Sequence, residues 1–592
     1  MKMRLKPIKL KALFTTGLCL SLLWACSITG PSIHSFTAAE EYLHKTLLPN
    51  ISTETELVSD TDAYNAIIPP LADIIPNPST YPLSGAMPTQ DPNTVYVEVY
   101  SSAEKANAAR KDERWLVDVA EAFNKQQQRL PSGEVIQIGV RNIPSGLGEQ
   151  IIAAGAGKPA GYTPAHALWP ELLKADGIPN ETISEGLVTS HAIFALRPEV
   201  YAQLEQNGEV TFDQLMDAIL SGKIDKIGYS NPYIASSALN FLYTSLWRSA
   251  GHSPNGKPNS ATDSKALTLT ELNSPEVGSL FNAFQQQVTL TTPTYLDLKQ
   301  IWLRDSKAFD AIVMAHQSFV GLTQQRGFDQ FKYVPFGVPE SSPLVTFDWT
   351  TPAEKTALQR FADFATSEEM QQLAAQQGYE RTDYLQKGDF PPLPSGEVLQ
   401  AAQAFWKQRK DGGRTVYMEM VIDTSGSMND HNRLTAVQTA LRSASRHINP
   451  GNQVGLVTFS DRPTIRIPLA PYTELEQKRL FTAIEQLQAD GGTALYDGLA
   501  VGLAELMEKQ ALDPEGQFYL LLLTDGKRNR GLHLKKLESV IKESGVRVYP
   551  IAYGDVNQSQ LEAIAALRET PVYQGTPEKV ELLLKDLFQT NL

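Results

Sequence analysis

At 592 residues the chain has room for three or four compact units of ~150 residues each. An apolar share of 42% and a charged share of 20% are those of folded protein and exclude wholesale disorder. The net charge of −14 disfavours nucleic acid or an anionic lipid surface as a partner, because both would be repelled.

The first element is an export signal. M-K-M-R-L-K-P-I-K-L-K is strongly basic, and Ala12–Ala25 adds about fourteen mostly apolar residues. That run is too short for an ordinary membrane-spanning helix and suits the apolar core of a secretory signal. Leu23-Trp24-Ala25-Cys26 resembles a bacterial lipobox. The resemblance implies that residues 1–26 are a lipoprotein signal peptide, that Cys26 carries a lipid anchor, and that the body faces the periplasm or exterior. Cys19 and Cys26 are the two cysteines, so nothing beyond residue 26 can form a disulfide. Residues 27–92, rich in Pro, Ser, Thr and acidic residues, read as a flexible tether with one short helix at Ala38–Leu47. Asp60 and Asp62 begin like a calcium loop, but Tyr64 stands where the next oxygen ligand belongs.

Over residues 93–385 strands and helices alternate, which predicts an α/β arrangement. The strands are Val95–Tyr100, Val135–Val140, Leu187–Leu196 and Ala311–Ala315, and the helices include Trp115–Phe123 and Glu354–Thr366. Trp115, Trp169 and Trp247 lie at helical spacing and are expected in the core. Three fragments occur in order: E-V-Y-S-S-A-E-K, G-Y-S-N-P-Y-I-A-S-S-A-L and F-A-D-F-A-T-S-E-E-M-Q-Q-L-A-A-Q-Q-G-Y. Together they resemble the two-lobed (type II) periplasmic solute-binding proteins. The resemblance implies a small solute held in a cleft between lobes. Candidate cleft residues sit where strands pass into helices, since unpaired N–H groups there attract polar ligands. They are Ser101, Ser102, Ser145, His166, Asn231, Ser236, Ser237 and Gln317. Each serine also reads as a helix cap, and His166 as a packed polar residue.

Residues 386–413 form a linker and a connecting helix. Pro391-Pro392-Leu393-Pro394 is followed by Val398, Ala402, Phe405 and Trp406 at helical spacing, and Asp411-Gly412-Gly413 ends the run. The helix is expected to pack between the flanking domains.

Residues 414–592 predict a doubly wound sheet. Its strands are Val416–Asp423, Val454–Ser460, Phe518–Thr524 and Val546–Tyr553, with Ile465–Leu469 as an edge strand. Phe518–Leu523 is continuously apolar, as a parallel strand buried on both faces requires. Such sheets bind ligands at the carboxyl ends of their strands. Asp423, Ser425 and Ser427 form D-x-S-x-S at one strand end, Thr493 lies in G-G-T-A-L-Y-D-G, and Asp525 ends L-L-L-T-D. The set resembles the metal-ion-dependent adhesion site of the von Willebrand factor A domain (Rossmann-like).

Oxygen ligands without His or Cys select a hard cation, magnesium first and manganese or calcium next. The resemblance implies that Ser425, Ser427 and Thr493 contact the metal, while Asp423 and Asp525 hold waters and orient the hydroxyls. A metal held largely by neutral oxygens keeps positive charge and seeks an acidic side chain on a partner protein. Asn429 and Asp430 read as helix-start residues, and His447, beside Arg446 near a helix end, as compensating the helix dipole.

Enzymatic motifs are missing. No G-x-S-x-G elbow surrounds Ser425 or Ser427, and Pro159 replaces the hydroxyl residue that a phosphate loop needs after Lys158. The expected function is therefore a non-enzymatic exported lipoprotein. It binds a partner protein through a divalent metal and a small solute in its cleft. The alternatives are the substrate-binding receptor of an ABC importer and an accessory subunit of a membrane complex.

Overall fold

The computed structural model describes residues 30–68, 74–206, 208–252, 265–379, 391–554 and 556–592. The signal peptide and Cys26 lie outside the described residues, as does most of the linker before Pro391.

The first lobe is a six-stranded sheet, in the order Leu83–Gly85, Val135–Asn142, Thr94–Ser101, Gly161–Thr163, Leu344–Phe347 and Asn180–Ser184. Thr94–Ser101 and Val135–Asn142 run parallel in unbroken register, from Thr94 opposite Val135 to Ser101 opposite Asn142. The second lobe has five strands, ordered Lys332–Glu340, Ser190–Leu196, Ala311–Ala315, Ile227–Ser230 and Val288–Thr292. The chain passes between the lobes twice, from Ser184 to Ser190 and back from Glu340 to Leu344. Trp115, Trp169 and Trp247 are all buried, as their spacing predicts. The helix Pro352–Ala365 shows how locally the elements are specified. Pro352 sits in its first turn, and Thr351 and Glu354 complete a reciprocal capping box ahead of the apolar face of Ala357, Leu358 and Phe361.

The C-terminal domain is a seven-stranded sheet, in the order Glu54–Thr55, Pro463–Pro471, Gln453–Phe459, Val416–Asp423, Gln517–Thr524, Arg547–Tyr553 and Tyr573–Gly575. All pairs are parallel except Gln453–Phe459 with Pro463–Pro471. Ile465–Leu469 is therefore not at the edge, because Glu54–Thr55 pairs outside it.

That pairing corrects the tether. Residues 30–65 lie along the C-terminal domain. The helix Phe36–Tyr42 and its single-turn extension Leu43–Leu47 bury Ala39, Leu43 and Leu47 in the same core as Leu499, Leu503 and Val540. Pro31 accepts a hydrogen bond from Ser539 Oγ (2.7 Å). The Pro- and Ser-rich composition hid an apolar face that only the neighbouring sheet makes useful.

The connecting helix, Gly396–Arg409, joins the core of the binding domain through Val398, Leu399, Ala402 and Trp406. Trp406 Nε1 donates to Tyr229 Oη (2.7 Å). On its other side, Lys407 Nζ donates to the carbonyls of Phe588 (3.2 Å) and Gln589 (3.0 Å) on the last helix, Val580–Asn591. Asn231 of the second lobe donates to Gln589 Oε1 (3.1 Å) and Thr590 Oγ1 (3.2 Å) of that same helix. A single apolar core runs from Leu298, Ile301 and Trp302 of the second lobe to Leu584, Leu587 and Phe588. The two domains are thus packed against one another.

Candidate metal centre and solute cleft

Strand Val416–Asp423 is buried along its whole length and delivers Asp423 to the rim of the sheet. The chain then turns through a 3₁₀ segment, Gly426–Asn432, and leaves it with His431 and Asn432 in the left-handed region (φ 53° and 57°). The following helix therefore starts at Arg433, later than Asn429 and Asp430 predict. Asn429 Nδ2 donates instead to the Ala489 carbonyl (2.9 Å), tying this turn to the loop that carries Thr493.

Hydrogen bonds knit the rim together. Asp423 Oδ1 accepts from the Ser425 N–H (2.8 Å) and Oδ2 from Thr524 Oγ1 (2.6 Å). Ser425 Oγ and Ser427 Oγ are 3.2 Å apart, and Ser427 Oγ donates to Asp525 Oδ1 (2.7 Å). Thr493 is fixed through its N–H, which donates to Asn529 Oδ1 (2.9 Å). A Cβ placed on Gly526 would stand 3.3 Å from Thr493 Oγ1 and 3.8 Å from Asp423 Oδ2, so the third loop reaches the same spot. Asp423, Ser425, Ser427, Thr493 and Asp525 are thereby brought together.

Three further participants escaped the sequence reading. Thr524 orients Asp423, Asn529 holds Thr493, and Arg433 Nη1 pairs with Asp525 Oδ2 (2.7 Å). Only Thr524, adjacent to Asp525, carried any local signal.

The donor set suits a hard divalent ion, since it offers two carboxylates and three hydroxyls. Among the described residues no group of three His, Cys, Asp or Glu could hold a metal. Any metal here would lean on hydroxyls. Burial pushes the Asp423 carboxyl up to about 6, opposed by its bonds from Ser425 and Thr524. A nearby cation would draw it down. His447 does not act as a charged dipole partner. Burial, then the positive charges of Lys407, Lys585 and Arg446, hold its ring neutral down to about 3.

The cleft between the lobes is closed. Lys105, fully buried, fills it and donates to Ser102 Oγ (2.7 Å) and to the carbonyls of Thr163 (2.8 Å) and Pro164 (3.3 Å). The space left is about 10 Å³, lined by Ser102, Lys105, Ser190, Gln317, Glu340 and their neighbours, and takes about one water. Burial pushes Glu340 up and Lys105 down, while each charge opposes the shift of the other.

Of the predicted cleft residues, Ser102 and Gln317 line this space. Gln317 Nε2 donates to the carbonyls of Asp112 and Gln377. Ser145, His166 and Ser236 do not line it, and form a latch across the lobes. Ser236 Oγ donates to Ser145 Oγ (2.9 Å) and accepts from Trp169 Nε1 (3.0 Å), while the Ser236 carbonyl pairs with His166 Nε2 (2.8 Å). Ser101 is buried beneath Ser102, and Ser237 is buried in the first turn of its helix. Asn231 is committed to the last helix of the C-terminal domain. Polar residues at strand ends are legible in sequence; which partner they meet across a closed interface is not.

Residues 107–380 match the family model of bacterial extracellular solute-binding proteins, and residues 419–589 match that of the von Willebrand factor type A domain. The chain carries one domain of each kind. An uncharacterised protein of Synechocystis sp. is 31% identical over 178 residues, covering 29% of this chain and 40% of the relative. Calcium-activated chloride channel regulator 1 of Bos taurus is 31% identical over 173 residues, covering 29% of this chain and 18% of the relative. The chain therefore spans less than half the length of either. Among solved structures, a periplasmic thiamin binding protein has a TM-score of 0.37 at 11% identity, covering 55% of this chain and 99% of that one. The sulfate-binding protein SubI of Mycobacterium tuberculosis H37Rv has a TM-score of 0.33 at 15% identity, covering 49% and 88%. A von Willebrand factor type A protein of Catenulispora acidiphila has 0.27 at 21%, covering 30% and 42%. Both domains are of binding type, and no helix among the described residues is long and apolar enough to cross a membrane.

Proposed function

We propose that this protein is a lipid-anchored envelope protein that grips a partner protein through a divalent metal at the A domain rim. The observation that carries the reading is the gathering of three separate stretches at one spot. Ser427 bonds Asp525 at 2.7 Å, Ser425 lies 3.2 Å from Ser427, and Thr493 Oγ1 and Asp423 Oδ2 both lie within 4 Å of where a Cβ on Gly526 would stand. Ser425, Ser427 and Thr493 would hold magnesium, manganese or calcium, and Asp423 and Asp525 would orient the hydroxyls and bound waters. The ion supplies a positive charge for an acidic side chain on the partner. Arg433 already neutralises one oxygen of Asp525, which leaves the site less negative than its two carboxylates alone would make it. That balance favours an ion which keeps its appetite for an outside carboxylate. The lipid on Cys26 would hold the body in the envelope.

Pull-down of envelope proteins with the purified chain tests this reading. Capture should require magnesium, vanish with EDTA and vanish in Asp423→Ala. Partners captured equally by the variant and in EDTA would sink it.

A second reading is delivery of a solute to an importer, favoured by the two-lobed body with its paired crossings and by the match over residues 107–380. The cleft must open before any solute enters, because the Ser145–His166–Ser236 latch joins the lobes across it and Lys105 occupies the space between. Growth dependence on a solute that shifts the melting of the chain would favour this role. The likeness to a protein named as a chloride channel regulator gives modest support to an accessory role beside a membrane complex.

A further inference from the structure

A cavity of about 420 Å³ lies where the two lobes, the connecting helix and the A domain meet, within the ~300–1,000 Å³ of small-molecule pockets. Its walls include Glu149 and Asp176 of the first lobe, Tyr233 of the second, Gln403 of the connecting helix, and His447 and Lys585 of the A domain. It shares no lining residue with the space around Lys105.

The ammonium of the lining and its exposed carboxylate are both already bonded within the protein. Lys585 Nζ donates to the Ile74 carbonyl (2.9 Å) and to Gln150 Oε1 (2.9 Å). Glu149 is buried; burial first, and the neighbouring Asp176 second, hold its carboxyl well above the usual range. Asp176 also accepts from Gln400 Nε2 (2.7 Å). The Lys585 ammonium and the Asp176 carboxylate are thus each engaged within the protein, and burial keeps His447 neutral.

An oxyanion entering this space meets a single ammonium already bonded to two acceptors. A metal ion meets one carboxylate already bonded to Gln400 and a second, Glu149, that is buried. A neutral molecule rich in hydroxyls meets amides, a carboxyl pair, an imidazole and the Tyr233 side chain, which together donate and accept, with Leu172 and the Tyr233 ring as apolar facets. Tyr233 is itself held against Trp406, with ring centres 6.0 Å apart.

We infer that this junction cavity binds a neutral polyhydroxylated solute, a small sugar or polyol, in contact with both domains at once. Calorimetric titration of the full chain with glucose, maltose and glycerol, and with sulfate as counter-probe, tests it. Saturable binding of at least one of the first three and none of sulfate is expected. Ala153→Phe directs a ring into the cavity, and Gln400→Leu removes an amide from its wall without crowding the core. Each should weaken binding at least about tenfold, the equivalent of ~1.4 kcal/mol. Binding of sulfate in preference, or of none of the three neutral probes, overturns the inference. So does binding that survives both variants and disappears in Lys105→Met, because the solute would then sit between the lobes.

Discussion

Acid should loosen the grip between the two lobes, and His166 is where it acts. The ring is fully buried, stacks on Trp169 with centres 6.0 Å apart and planes 4° from parallel, and pairs through Nε2 with the Ser236 carbonyl of the other lobe. Its Nδ1 has no hydrogen-bond partner, so a second proton there would be charged, buried and unsatisfied. Burial lowers the ring from 6.5 to about 4, reinforced by the nearby charge of Lys105 and opposed by the backbone bonds. The folded value is depressed below the unfolded one. The unfolded chain therefore takes up the proton first, and the stability is whole above 6.5 and lost as pH falls toward about 4. At ~1.4 kcal/mol per pH unit, that window corresponds to about 3 kcal/mol. Urea unfolding followed by tryptophan fluorescence across this range, for the natural chain and for His166→Gln, isolates the effect. Glutamine keeps a donor for Ser236 and cannot titrate in this window. The stability difference between the two should shrink by about 3 kcal/mol from the neutral to the acid end. A difference that does not change with pH refutes the assignment.

Other perturbations have equally direct outcomes. Trp406→Ala empties a fully buried site and removes the bond to Tyr229, so thermal unfolding should report a loss of about 3–5 kcal/mol. Gly146→Ala presses a methyl into the Tyr233 carbonyl across the lobes; small-angle scattering should register a more open body, and melting a loss of about 1–3 kcal/mol. Arg433→Met frees Asp525 from its internal counter-charge, so calorimetry should find magnesium bound about tenfold more tightly, and weaker binding would reverse the role given to Arg433.

Much of the C-terminal domain could be read directly, because buried parallel strands are unbroken apolar runs. Phe518 to Leu523 needs no partner information to be recognised, and the ends of such strands name the rim residues. Arg433 escaped notice since an arginine in the first turn of a helix looks like any exposed one. Only the fold brings Asp525 to it from 92 positions away. The packing of the amino-terminal segment is illegible in sequence for a related reason. Ile33, Leu43, Leu47 and Ile51 are too sparse to predict a packed element, and they gain meaning from the surface they cover. The serines and His166 were located at the right strand ends, but a strand end does not reveal whether it faces a solute or the opposite lobe.

The docked amino-terminal segment has a geometric consequence. Gly30 lies against the Lys535 carbonyl, in the first turn of the helix Leu534–Ser544, which leaves the loop beginning at Asp525. With the acyl group on Cys26 proposed above, three residues separate it from Gly30, a span of at most ~14 Å. The proposed metal-binding face would then lie toward the membrane surface. On that proposal, a partner rooted in the same bilayer would be the one within reach.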